Sequence, residues 1–141
     1  MLDALIANRD RHSENWAVLR GPSAPDQRLA PSYDHASALG FNLLDERRLL
    51  LFRDRNMMEA FLRKGTAHRF EGGRKATLVD CAHVALSMAR NSAREYWLDH
   101  LTSVDEDQFD TVVARIPVMS DLSRRFARCL LTTNRGRLLD A

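Results

Sequence analysis

The residues best equipped for chemistry stand near the start of the chain, in A-N-R-D-R-H-S-E-N-W, Ala7 to Trp16. Asp10, His12 and Asn15 form the pattern D-x-H-x-x-N, and another carboxylate, Asp34, follows in L-A-P-S-Y-D. Held in one loop, Asp10 and Asn15 can address two parts of a single site. Asp10 suits a group that accepts or orients a hydroxyl proton. Asn15 offers a neutral oxygen ligand and Asp34 an anionic one. One amide, one carboxylate and several waters suit a hard divalent cation such as magnesium holding phosphates. Phosphoryl transfer asks mainly for positioning and charge neutralisation, and this set supplies both.

The elements around the cluster must hold it in place. Asn, Asp and Ser compete for backbone hydrogen bonds, so the cluster reads as a loop between two anchored elements. Met1 to Ala7 is apolar and helix-compatible with no capping residue ahead of it, like the last turns of a helix whose beginning is missing. Beyond the cluster, W-A-V-L (Trp16 to Leu19) is short and β-prone. The turn-rich G-P-S-A-P-D-Q (Gly21 to Gln27) then leads to R-L-A-P-S-Y-D, which predicts a hairpin that carries Asp34 back beside the cluster.

Helical periodicity takes over downstream. Met57, Met58, Phe61 and Leu62 mark one helix, with Gly65 after Arg63 and Lys64 as its stop. Leu78, Cys81, Ala82, Ala85 and Ala89 share a face of a second, and Tyr96, Trp97 and Leu101 continue in a third. Ser103 and Glu106 read as a capping box ahead of Phe109, Val112, Val113 and Ile116, and Pro117 ends that helix. Ser120 caps a last helix with Leu122, Phe126, Cys129 and Leu130 inward. The expected fold is mainly α with a small β-hairpin near the N-terminus.

Composition sets the outer bounds. The 141 residues are one domain's worth of chain, 45% hydrophobic and 28% charged. A net charge of +2 creates no strong field for polyanions, so direct nucleic-acid binding is not expected. Cys81 and Cys129 lie far apart in apolar runs and read as buried free thiols of a reducing cytosol. No run of eighteen apolar residues exists, and M-L-D-A-L-I-A-N-R-D carries acid where a signal peptide carries basic charge. A soluble cytoplasmic protein that does not enter membranes is expected.

R-D-R-H-S-E-N followed by L-A-P-S-Y-D-H resembles the catalytic loop and metal-binding segment of HipA-like serine/threonine kinases. The D-R-H-x-x-N form is also similar to phosphatidylinositol kinases. D-H-A-S-A-L-G-F-N-L-L-D-E-R-R and R-I-P-V-M-S-D-L-S-R-R-F-A-R-C-L-L-T-T-N-R-G-R-L-L look like the C-terminal region of HipA-like proteins, so the resemblance spans nearly residues 1–141. It implies the helical C-terminal lobe of a protein-kinase-like fold. It also implies Asp10 as the catalytic Asp, with Asn15 and Asp34 as ligands of magnesium and, through it, of ATP. His12 braces the loop by hydrogen bonds in that reading.

Two departures matter. Asp34 is followed by His35 and Ala36, not Phe-Gly. No glycine-rich loop and strand lysine precede the motif: Gly72-Gly73 follows it and reads as a turn, and Lys64 and Lys75 also lie downstream. The sequence thus reads as a lobe lacking its ATP-covering N-terminal partner, expected to be inactive alone. Its implied partners are a protein substrate and, in trans, an N-terminal kinase lobe or an antitoxin. The alternatives are a catalytically dead lobe acting as a binding module and a fragment of a phosphatidylinositol-kinase-like enzyme.

The remaining candidates receive structural readings. His12, His35, His68, His83 and His100 lack the spacing of zinc ligands. Arg124, Arg125, Arg128, Arg135 and Arg137 read as a solvated basic face, as does the D-E-R-R run Asp45 to Arg48. Trp16 and Trp97 read as core anchors.

Overall fold

The computed structural model describes residues 1–22, 26–63, 65, 67 and 76–140. Among them the helices are α1 (Leu2–Leu5), α2 (Asp45–Arg53), α3 (Arg55–Arg63), α4 (Leu78–Met88), α5 (Asn91–Ser103), α6 (Glu106–Ala114) and α7 (Asp121–Leu139). A short 3-10 turn, Ser13–Asn15, precedes the strands β1 (Val18–Arg20) and β2 (Gln27–Leu29). The strands pair antiparallel, with Val18 opposite Leu29 and Arg20 opposite Gln27. The mainly helical fold with an N-terminal hairpin is the one the sequence predicts. No described helix is long and apolar enough to cross a membrane.

Helix α7 is the spine against which the other six helices pack. Ser120 opens it, accepting the Ser123 amide at 3.1 Å. Its inward residues seed three apolar clusters. Phe126 and Leu130 meet Leu51 and Met58 of α2 and α3, and Ala127 and Leu131 meet Phe109 and Val113 of α6. Leu138 meets Ala4, Leu78, Val79, Ala82 and Leu101 of α1, α4 and α5. Phe126 is 0% exposed and takes the edges of Phe52 and Phe61. Burying one such ring contributes roughly 1.5–3 kcal/mol.

Several sequence expectations are corrected. Trp16 and Trp97 are 54% and 53% exposed, so neither anchors the core. Tyr96 and Val112 also face solvent. The inward face of α4 runs through Leu78, Val79, Ala82 and Leu86, with Ala85 outside. The capping box of α6 is Asp105 with Gln108, because α5 runs on through Ser103 and consumes the proposed cap. Cys81 and Cys129 are free thiols but only half-buried.

The arginines also differ from a solvated face. Arg135 donates to the Leu101 and Thr102 carbonyls at the end of α5, and Arg137 to Leu62 near the end of α3. Arg124 donates to Val113 and Ile116, Arg128 pairs with Glu106 and Asp110, and Arg125 lies over the Phe52 ring. They fasten α7 to its neighbours, often at helix C-termini where carbonyls lack partners. In the D-E-R-R run, Arg48 is buried and bridges Asp45 to the Gly40 carbonyl. Lys64, His68, Gly72, Gly73 and Lys75 lie outside the described residues.

Candidate functional site

The loop bearing Asp10 is fixed from the end of α1. Asn134 of α7 donates to the Leu5 carbonyl at 3.2 Å, and the Leu39 amide to Ile6 at 2.8 Å. The chain then turns through Ala7, at φ 54°, and brings Asn8 fully inside. The Asn8 side chain donates to Asp3 at 2.9 Å, and its oxygen accepts the Asp10 amide at 3.3 Å. A buried polar group needs such partners, so Asn8 sets where Asp10 begins.

From Asp10 the chain makes its 3-10 turn and buries Asn15, 4% exposed. The Asn15 amide nitrogen donates to the Asp10 carbonyl at 2.9 Å. His12 caps the turn, its Nδ1 accepting the Glu14 amide at 3.3 Å. This contact ties His12 to the backbone of its own turn.

The exposed hairpin returns the chain. Ala30 donates to Ala17 at 2.9 Å, closing its open end. Tyr33 then reaches across, its hydroxyl donating to the Glu14 carbonyl at 2.8 Å. Asp34 follows at φ 54°, a left-handed conformation that Asp tolerates better than most residues. The segments that carry Asp10, Asn15 and Asp34 are therefore fastened to one another through the Asp10 and Glu14 carbonyls.

Arg11 is the fastener that sequence reasoning missed. Its Nε lies 3.0 and 3.1 Å from the two Asp3 carboxylate oxygens, and its Nη2 2.8 Å from one of them. Its Nη1 donates to the Asn15 carbonyl and, at 3.0 Å, to the Tyr33 carbonyl. Its Nη2 also lies 3.2 Å from Nδ1 of His35. The Asp3 hydrogen bonds, helped by the charge of Asp34, hold the guanidinium proton more firmly than water does. The only sequence signal was a second arginine beside Asp10. Asp3, Asn8, Tyr33 and His35 gave none.

The donor set fits a hard divalent cation. Asn15 spends its nitrogen on Asp10, which leaves the amide oxygen for a ligand. Asp34 adds an exposed carboxylate. Among the described residues no group of three or more His, Cys, Asp or Glu side chains gathers to hold a metal, at this site or elsewhere. Two protein oxygens completed by water and phosphate is how magnesium is commonly held.

Two clefts flank the site. One, of about 480 Å³, has Arg9, Asp10, Ser37 and Asn42 along its polar side and Leu43, Phe61 and Leu130 along its apolar side. The other, of about 460 Å³, lies between α1, the hairpin and α4, and is lined by Asn15, Trp16, Ala17, Leu29, Pro31 and Ala82 among others. Asp10 thus faces one cavity and Asn15 the other.

No family model and no curated protein sequence matches the chain. Among solved structures the chain is similar to the crystal structure of the Helicobacter pylori proinflammatory kinase CtkA. Identity is 21% and the TM-score 0.67, over 98% of this chain and 50% of that one. The chain therefore has a kinase-like fold, and spans about half the length of the kinase it resembles.

Proposed function

We propose that this chain is the magnesium- and substrate-binding C-terminal lobe of a HipA-like serine/threonine protein kinase, acting in the cytoplasm. The observation that carries the reading is that the Asp10, Asn15 and Tyr33 segments are hydrogen-bonded to one another, directly or through Arg11, within a kinase-like fold. Asp10 orients a substrate Ser or Thr hydroxyl entering by the 480 Å³ cleft and takes its proton. Asn15 and Asp34 would hold magnesium, which when bound neutralises phosphate charge on ATP. The exposed apolar residues Trp16 and Leu29 offer a floor on the other side, where a nucleotide base can rest.

ATP needs a second surface above that floor, supplied by an N-terminal kinase lobe. Transfer of label from γ-labelled ATP to protein is the test. The 141-residue chain alone is expected to give none. With an ATP-covering lobe supplied in trans, transfer should appear, require magnesium and vanish in Asp10→Ala. Transfer that survives Asp10→Ala would falsify the reading.

A second reading, a lobe that binds partners without catalysis, draws on a different feature. A largely apolar cleft of about 270 Å³ opens between Met1, Leu2, Leu5, Trp97, Val104 and Leu138. It suits an apolar segment of a complementary lobe or an antitoxin. Binding of such a fragment with no transfer under any metal condition would favour this reading.

A further inference from the structure

The hairpin does not by itself determine how far Asp34 stands from Asn15. All residues of both strands are exposed, so little packing fixes the angle at which the hairpin returns. The separation of the two oxygen-bearing residues depends on contacts where the hairpin begins and ends. Arg11 makes most of them.

Its Nη1 holds the carbonyls of Asn15 and Tyr33 at once, so a single atom gauges the distance between the two segments. Its contacts also fall on both neighbours of Asp34, the Tyr33 carbonyl and the His35 ring. That grip keeps the left-handed Asp34 in place, a conformation that costs energy unless its surroundings enforce it. Asp3, on α1, fixes the guanidinium plane from behind. The planar fork of arginine can satisfy all these directions together, and a lysine ammonium cannot.

We infer that Arg11 is a positioning residue that sets the spacing of Asn15 and Asp34, and through it their joint affinity for a divalent cation. This rests on the kinase reading, since that reading supplies the cation. Residues that orient ligands without touching the metal typically govern ten- to a hundredfold of affinity.

Manganese, a paramagnetic stand-in for magnesium, tests this in the 141-residue chain without ATP or turnover. In the wild type, amide signals of residues 14–16 and 33–35 should broaden together at one manganese midpoint. In Arg11→Gln and Arg11→Lys the midpoint should rise about tenfold or more, and the two segments should broaden separately. Phe109→Ala, which weakens the distant α6 contact, should lower the melting temperature and leave the midpoint unchanged.

If Arg11→Gln does not fold, Arg11→Lys decides, because it retains the Asp3 ion pair and loses only the fork. Wild-type midpoints in the folded Arg11 variants would overturn the inference while the kinase reading stands. No shared broadening in the wild type would overturn the kinase reading, and the inference with it.

Discussion

The Asn15 side chain donates its nitrogen to the backbone carbonyl of Asp10 at 2.9 Å, from a position almost closed to solvent. One residue thereby holds the Asp10 segment. Asn15→Ala removes the donor and leaves the Asp10 carbonyl without it. The expected loss of stability is about 1–3 kcal/mol, the cost of stranding a partly buried acceptor. Urea unfolding at neutral pH measures it. A loss below the error of that experiment would show that water replaces the amide freely, and that Asn15 does not define the loop.

Gly40 and Phe126 limit each other in a comparable way. Gly40 has φ +65°, and a Cβ there would stand 2.7 Å from the Phe126 ring. Gly40→Ala therefore combines a disfavoured backbone conformation with overpacking, an expected cost of roughly 1–3 kcal/mol. Phe126→Ala should cost more, about 3–5 kcal/mol, because the site is sealed by Phe52, Phe61 and Leu130. In the double variant Gly40→Ala/Phe126→Leu, the smaller side chain should recover part of the Gly40→Ala loss. Strict additivity of the two changes would contradict direct contact between them.

The contrast between Asn15 and Arg11 shows what the sequence made legible. Asp10, Asn15 and Asp34 stand out by type and spacing, and the turn-rich stretch after Arg20 announces the hairpin between the second and the third. Arg11 is equally near the motif, yet its role comes from Asp3, Tyr33 and His35, contacts with no periodicity to read.

The same holds for the arginines of α7. Their charge is visible in sequence, but the carbonyl ends they meet exist only after the helices are packed. Ser103 with Glu106 and Asp105 with Gln108 both satisfy the capping-box pattern. The second prevails because Leu101 is buried and Arg135 grips the last carbonyls of α5, drawing that helix through Ser103. Trp97 misleads for a related reason: its size suggests burial, while only one stripe of α5 faces α7.

Acid should weaken the domain through Asp45. Hydrogen bonds from Ser120 and then Arg48 hold its carboxyl below the ordinary aspartate value. Unfolded, the group titrates near about 3.9. The folded state thus binds fewer protons in this range, so the stabilisation is complete above the unfolded value and is lost as pH falls through the folded one. Asp80 behaves alike, held low chiefly by the Thr77 amide. Melting temperature should be flat near neutrality and fall steeply below about pH 4. Asp45→Asn should melt lower at pH 7 and show a shallower acid limb. An unchanged acid limb in that variant would assign the loss to other carboxylates.

The apolar cleft beside α1 should govern association. Leu2 and Trp97 expose large side chains at a cavity with little polar lining, whereas Leu101 at its base is buried. Patches of this kind mark interfaces or aggregation liabilities. Leu2→Lys with Trp97→Lys should raise the concentration at which light scattering appears, and shift the melting temperature little, because both side chains are already half in water. Leu101→Ala should do the reverse, costing about 2–5 kcal/mol through the cavity it opens while leaving the exposed patch in place. If the surface pair destabilises as strongly as Leu101→Ala, the cleft belongs to the core of the isolated domain and offers no surface for a partner.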